Sequence, residues 1–247
     1  MSPRRRHGRP VHGIVLLDKP AGLSSNQALQ RVKRLYDAQK AGHTGNLDPF
    51  ATGMLPACLG EATKTAGFML DADKRYRAVA ELGTRTGTGD PEGATVETAP
   101  VPELDEDRIR AAMAGLTGEI RQVPPMHSAL KHQGRPLYEL ARRGETVERK
   151  ARQVTIHALE LLDWTSPRLE FEVHCSKGTY VRVLAEDLAR ALGTVAHLVA
   201  LRRLEVAPFD PQGMVTLAQL EQSQAAGTLD AHLLPPDAGL VGWPVLT

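Results

Sequence analysis

One stretch of the chain combines the residue types of a reactive loop: GHTGNLDPFATGMLP at 42–56. Its glycines and prolines argue against a continuous helix or a central strand. Yet Leu47, Phe50, Met54 and Leu55 are too apolar for an ordinary exposed loop. An irregular, partly buried loop must be held by its own packing, which makes it a rigid place to present a polar group in a shielded cleft. His43, Thr44 and Asp48 are the groups it offers. A carboxylate held in this way can act as a nucleophile or stabilise a developing positive charge. The same residues also fit a plainer arrangement, with an Asx turn at Asp48-Pro49 and a hydrogen-bonded core histidine. No motif places a second acidic residue, which argues against the carboxylate pair of a glycosidase. Cys58 and Cys175 stand far apart without a CxxC, so neither a zinc site nor a disulfide framework is indicated. GTRTGTGDPEG at 83–93 reads as a polar loop without the spacing of a phosphate-binding loop.

The elements around this loop follow from periodicity. GIVLL at 13–17 predicts a buried strand that ends at Asp18-Lys19-Pro20. Ser24 or Ser25 can cap a helix reaching about Tyr36, with Leu29, Val32 and Leu35 on one face. Strands are predicted at 76–82, 153–163, 168–175 and 200–207. Helices are predicted at 104–115, around 137–142, after the Lys177-Gly178-Thr179 turn, at 195–199 and over 217–222 behind Thr216. Strands and helices alternate without regular βαβ spacing, which predicts the α+β class with a largely antiparallel or mixed sheet. The expected organisation is a basic flexible arm at 1–12, a catalytic domain at 13–207 with an insertion at about 124–152, and a short extension at 208–247.

The chain has 247 residues, 42% hydrophobic and 24% charged, which is a globular composition. No apolar run reaches the length of a transmembrane helix, and no membrane partner is expected. The arginine-rich start lacks the apolar segment of a signal peptide, so a reducing, cytoplasmic setting is expected. Net charge is only +1, but it is unevenly spread. Residues 1–40 hold nine basic residues against Asp18 and Asp37, while residues 204–247 hold five acidic residues and no Lys or Arg. Lys131, Arg135, Arg142, Arg143, Arg149, Lys150 and Arg152 make the insertion basic as well. Such asymmetry fits a polyanion footprint and equally fits a solvated basic tail. Aromatic residues, at 4%, are too few for a broad base-stacking platform.

GHTGNLDPFATGMLP resembles the signature loop of the TruB family, the bacterial tRNA pseudouridine-55 synthases. The resemblance continues in LLDKPAGLSSNQALQRVKR at 16–34, DKRYRAVAELGTRTGTGD at 73–90, HCSKGTYVRVLAEDL at 174–188 and HLVALRRLEV at 197–206. These motifs stand in the family's order. Asn46 and Phe50 depart from the smaller and branched apolar residues expected there, and His127 stands where the family often has tyrosine. Members usually continue into a small RNA-binding PUA domain; only about forty residues follow the strand at 200–207, too few for it.

The resemblance implies the pseudouridine-synthase fold, a mixed or mostly antiparallel sheet flanked by helices, with an insertion that grips RNA. It implies tRNA as partner through its T stem-loop, a monomer, and no cofactor or metal. Asp48 matches the family nucleophile, Arg182 the arginine that pairs with it, and Tyr76 the tyrosine that stacks on the target base. Tyr180 and Leu201 match positions lining the uracil pocket, and His43 the residue filling space near the flipped nucleotide. Lys19 is expected to support the loop or contact phosphate. Whether the carboxylate attacks C6, attacks C1′ or promotes a glycal route stays open. The competing readings are a non-catalytic RNA-binding or tRNA-folding module and a guide-RNA-dependent synthase. The intact Asp48, Tyr76 and Arg182 weigh against the first; the loop sequence and the short C-terminus weigh against the second.

Overall fold

The computed structural model describes residues 8–241; residues 1–7, most of the expected basic arm, and 242–247 lie outside the described part. In chain order the strands are β1 (Gly13–Lys19), β2 (Ala41–His43), β3 (Thr52–Leu59), β4 (Lys74–Leu82), β5 (Thr84–Thr86), β6 (Thr95–Thr98) and β7 (Gly118–Gln122). They continue with β8 (Lys131–His132), β9 (Arg135–Pro136), β10 (Arg152–Thr165), β11 (Arg168–Cys175), β12 (Ala196–Val206) and β13 (Val215–Thr216). The helices are α1 (Ser25–Leu35), α2 (Ala66–Asp71), α3 (Glu106–Ala114), α4 (Leu137–Arg142), α5 (Val181–Ala191) and α6 (Leu217–Ala225). The chain forms two units: residues up to Lys74 together with those from Arg202 onward, and residues Arg75–Leu201.

In the first unit the strand order is β13, β1, β3, β12, with β2 also paired to β3. β1 runs antiparallel to β3, from Gly13 opposite Leu59 to Lys19 opposite Gly53. β1 with β13 and β3 with β12 are parallel pairs. The apolar run of β1 is buried on both faces, which suits a strand covered from two sides. Side chains alternate between the faces of a strand, so Val15, Leu17, Leu55 and Leu59 pack with Leu29, Val32, Tyr36 and Leu220. Their neighbours Ile14, Leu16, Met54 and Cys58 pack with Met69, Val206 and Phe209 on the other side. α1 begins where Ser24 and Gln27 form a reciprocal capping box, which satisfies donors the first turn would otherwise leave open. The segment after 208 closes this core: Ile14 and Leu234 exchange backbone hydrogen bonds, and the Tyr36 hydroxyl donates to the Leu229 carbonyl. Residues 8–12 are tied down too, by the Arg9 amide to the Asp37 carbonyl and by the Val11 side chain, which is buried.

The second unit has the strand order β12, β4, β11, β10, β7. β10 and β11 form a long antiparallel hairpin, and β7 adds antiparallel to β10. β4 alternates strictly, with Tyr76, Ala78, Ala80 and Leu82 buried between more exposed neighbours. α5 turns Leu184, Ala185 and Leu188 inward. The segment 124–152 carries the small β8–β9 hairpin and α4, the helix expected around 137–142. The expected α+β class and mixed, mostly antiparallel pairing are therefore present.

Three expectations are corrected. Residues 52–59, within the stretch expected to exclude a central strand, form β3, paired to β1, β2 and β12. Pro56 is tolerated because its carbonyl accepts from the Thr44 amide, just past the end of β2. A residue's N and C=O share one strand edge, so the missing donor falls just beyond the last ladder pair of β2, His43 with Ala57, where the pairing ends. The helix expected at 195–199 is replaced by the single strand β12, which begins at Ala196 and neighbours β4 in the sheet; a short apolar run fits either state, and the sheet decides it. The loop at 83–93 contains β5, which pairs with β6.

Gly53 shows how tightly β3 and β12 meet. Its φ is +100°, and a Cβ there would lie 2.2 Å from the Arg203 carbonyl oxygen. Gly53→Ala therefore combines backbone strain with a clash and is expected to lower unfolding free energy by about 2 kcal/mol or more. Urea unfolding measures this, and an unchanged midpoint would contradict it.

Candidate active site

Between the end of β2 at His43 and the start of β3 at Thr52 the chain has no regular ladder, so its backbone groups need other partners. They find them at successive positions. The Ser25 hydroxyl accepts from the Leu47 amide at 2.7 Å and donates to the Leu47 carbonyl at 3.1 Å. The Pro49 carbonyl accepts from the Gly22 amide at 2.8 Å and from the Lys19 ammonium at 3.3 Å. Arg203 donates from Nε to the Met54 carbonyl at 2.7 Å, from Nη1 to Asn46 at 3.4 Å and from Nη2 to Gly45 at 3.3 Å. Leu47 is buried between these anchors, and the Ala51 amide closes a turn onto the Asp48 carbonyl. Asp48 itself is half-buried.

Lys19 has 0% exposure and also donates to the Pro20 and Leu23 carbonyls at 2.9 and 2.7 Å. Its ammonium is thus bonded to the loop backbone at Pro49. His43 has a buried Nδ1 and Thr44 a buried Oγ1, neither with a hydrogen-bond partner. Burial, and then the charge of Arg203, hold the His43 imidazole below its ordinary value of 6.5, so it is uncharged at neutral pH.

In the second unit Tyr76 sits on the inward face of β4 and Leu201 is buried in β12. Tyr180 is the N-cap residue of α5, and its backbone is clasped by the buried Gln122 amide. Gln122 Oε1 accepts from the Tyr180 N–H at 3.0 Å, and Nε2 donates to its carbonyl at 3.4 Å. Arg182 lies in the first turn of α5, where the helix dipole disfavours a cation. It is held there by donating to the Thr88 carbonyl at 2.6 Å and the His127 carbonyl at 2.8 Å. The Asp90 carboxylate lies 3.5 Å away, with both side chains nearly fully buried. Thr88 Oγ1 and the Glu92 amide fix Asp90 in turn. Because Arg182 uses the backbone of residue 127, histidine in place of tyrosine leaves that contact available.

Lys19, His43 and Asp48 thus belong to one loop and its supports, while Tyr76, Tyr180, Arg182 and Leu201 belong to the second unit. Sequence reasoning missed Ser25, Asp90, Gln122 and Arg203 as supports. A signal for Arg203 existed: in a strand, it shares a face with Leu201, so alternation places one arginine of the Arg202-Arg203 pair inward.

Residues 33–181 match the model of the TruB family pseudouridylate synthase N-terminal domain, and residues 182–241 that of the tRNA pseudouridylate synthase B C-terminal domain. The tRNA pseudouridine synthase B of Chromohalobacter salexigens is 58% identical over 243 residues, covering 98% of this chain and 79% of that protein. The protein of the same name from Vibrio cholerae is 54% identical over 250 residues, covering 98% and 80%. Among solved structures, a Cbf5-Nop10-Gar1 complex superposes with a TM-score of 0.73 at 29% identity, covering 92% of this chain and 60% of the matched one. With more than half its length in the N-terminal family domain and relatives above half identity along nearly its whole length, the chain belongs to the TruB family of pseudouridylate synthases.

Proposed function

We propose that this chain isomerises a uridine of tRNA, the T-loop uridine at position 55, to pseudouridine, with Asp48 as the nucleophile. The observation that carries the reading is the loop that bears Asp48: its backbone is anchored at Gly45, Asn46, Leu47, Pro49 and Met54. A carboxylate on a backbone fixed at so many points meets the reacting atoms without first being ordered. The naming of relatives with 58% and 54% identity as tRNA pseudouridine synthase B supports the substrate class. The likeness to the Cbf5 complex is far lower, at 29% identity, which favours the stand-alone reading over a guide-RNA-dependent one.

The reaction breaks the N1–C1′ glycosidic bond and joins C5 of the same base to C1′ of the same sugar; C5 then loses its proton, and N1, freed from the sugar, carries one in the product. Atoms and oxidation state are conserved overall. Asp48 supplies the charge that attacks the base or sugar, or supports C1′ as the bond breaks, and is released at the end. Tyr76 stacks on the flipped base and takes part in the proton transfer. Tyr180 and Leu201 line the uracil pocket, and Arg182 acts with the carboxylate. The neutral ring of His43 fills the space beside the nucleotide without presenting a charge. Flipping the base out of its stack costs a few kcal/mol, which phosphate contacts and the aromatic face offset. The exposed Lys131, Arg135, Arg142, Arg143 and Lys150 supply phosphate contacts to the T stem-loop. The same reading has the enzyme acting as a monomer in the cytoplasm, where its substrate is found.

Asp48→Asn keeps the shape and removes the charge. RNA affinity is expected to stay within about threefold, and the single-turnover rate with saturating enzyme to fall by at least about 10³-fold. A substantial rate, with deamidation back to Asp excluded by mass spectrometry, would move the reaction to another residue.

Replacing Arg142, Arg143 and Lys150 together by serine is expected to reduce the slope of log affinity against log salt by about 2–3. Filter binding across a salt series tests this, and an unchanged slope would remove the segment from the RNA footprint.

His43 generates a pH dependence of stability. The unfolded chain protonates it near 6.5 and the folded chain only at lower pH. Between those values the unfolded state holds more protons, so this contribution is complete above 6.5 and is lost as pH falls. His43→Gln is expected to lose less stability than the parent between about pH 7.5 and 5.5 in denaturant titrations. Equal losses would show that His43 contributes nothing to the acid limb.

A further inference from the structure

Arg203 is only 1% exposed and, with Tyr36 and Lys19, is among the largest fully buried side chains. A buried guanidinium is costly unless it is neutralised or fully hydrogen-bonded. Among the described residues it forms no ion pair with a carboxylate. Its partners are the carbonyls of Gly45, Asn46 and Met54. These lie on either side of Asp48 in the sequence, so one planar group ties both limbs of the loop. The fork of N–H donors suits this task, because its donors keep fixed directions relative to one another.

Arg203 is also fixed in its own backbone. It lies opposite Gly53 in the parallel pairing of β12 with β3, at the close approach that only glycine permits. The guanidinium therefore reaches the loop from a strand of the sheet. Ser25 holds Leu47 and Lys19 holds Pro49, the two residues flanking Asp48. Without Arg203 the carbonyls of residues 45, 46 and 54 lose a shared donor. The loop is then tied near Asp48 but not at its limbs.

We propose that Arg203 is a positioning residue for the reaction: by clamping the carbonyls of Gly45, Asn46 and Met54, it fixes where the Asp48 carboxylate stands. At 1% exposure it has almost no surface with which to meet RNA, so it acts through the loop. This inference rests on the reading of Asp48 as the nucleophile. Misplacing a reacting group by about 1 Å can cost about 10²-fold in rate, the effect expected here.

The test compares Arg203→Met, Arg203→Gln and Arg203→Lys with the parent chain, using a T stem-loop RNA. Thermal unfolding reports folding, filter binding reports affinity, and single-turnover pseudouridine formation with saturating enzyme reports the chemical step. The expected order of rate constants is Met, then Gln, then Lys, then parent, with Met about 10²-fold down and affinity within about threefold throughout. A merely structural role would reduce the fraction of RNA converted and leave the rate constant of the folded enzyme unchanged. If Arg203→Met does not fold, Arg203→Gln decides the matter, because it keeps two N–H donors without a buried charge. A folded Met or Gln variant with the parent's rate constant overturns the proposal, as does a loss confined to affinity. Asp48→Asn is run beside them. If it is inactive while Arg203→Met keeps the parent's rate, only the positioning role fails. If Asp48→Asn is active, the reading of Asp48 fails and takes this inference with it.

Discussion

The first unit depends on buried cations held by backbone carbonyls. Lys19 and Arg203 are both withdrawn from water, and the oxygens that compensate them come from residues 45, 46, 49 and 54 as well as from Pro20 and Leu23 in the turn before α1. The constraint runs in both directions. The loop lacks a regular ladder and needs donors for its carbonyls. The cations are costly in the interior and need acceptors. If the loop shifts, both requirements fail together, because a buried charge stripped of its partners is worse than one never introduced. An irregular segment of glycine and proline thereby acquires the rigidity usually found in helices and strands.

The second unit handles its buried arginine differently. Arg182 also donates to carbonyls, those of Thr88 and His127, but the Asp90 carboxylate lies beside it as well. A carboxylate stabilises the charge and also competes for it, whereas carbonyl dipoles only compensate it. The difference suits the proposed division of work. Arg203 holds a backbone, and its donors are taken up by that backbone. Arg182 is aimed by the polar loop after β5 and by the segment before α4, both of which lie in its own unit.

Much of this architecture was legible in the sequence because short-range signals decided it. GIVLL bounded by Asp18-Lys19-Pro20 read as a buried strand, and the Ser24-Ser25 pair marked the start of α1, which the structure assigns to Ser24 as the cap. The α4 helix fell where Leu137 and Leu140 could turn inward. The failures came where tertiary partners overrule local signals. Gly53 and Pro56 read as strand breakers, yet they stand in a central strand. Gly53 is required by the approach of Arg203, and Pro56 stands one residue beyond the end of the β2–β3 ladder, where its missing hydrogen costs least. The residues at 195–199 were ambiguous for the opposite reason: apart from His197 they are apolar or small enough for either state, and their place in β12 settles it.

The site residues divide along the same line. Motif resemblance reached Asp48, Tyr76 and Arg182, which are proposed to act on the substrate, and Lys19 behind the loop, but not Ser25, Asp90, Gln122 or Arg203. Arg202 and Arg203 show why. They are adjacent and identical in type, so composition and motif treat them alike. Strand geometry sends them to opposite faces. Arg202 is partly exposed and makes a two-pronged ion pair with Asp18, at 2.9 and 2.8 Å. Arg203 is enclosed and finds only carbonyls. Their difference comes from register alone: Arg202 lies opposite Thr52, and Arg203 opposite Gly53. A shift of one residue would exchange their faces, leaving the buried guanidinium without the loop and the loop without its donor. The pairing of β12 with β3 is therefore part of what places Asp48, although neither strand contains it.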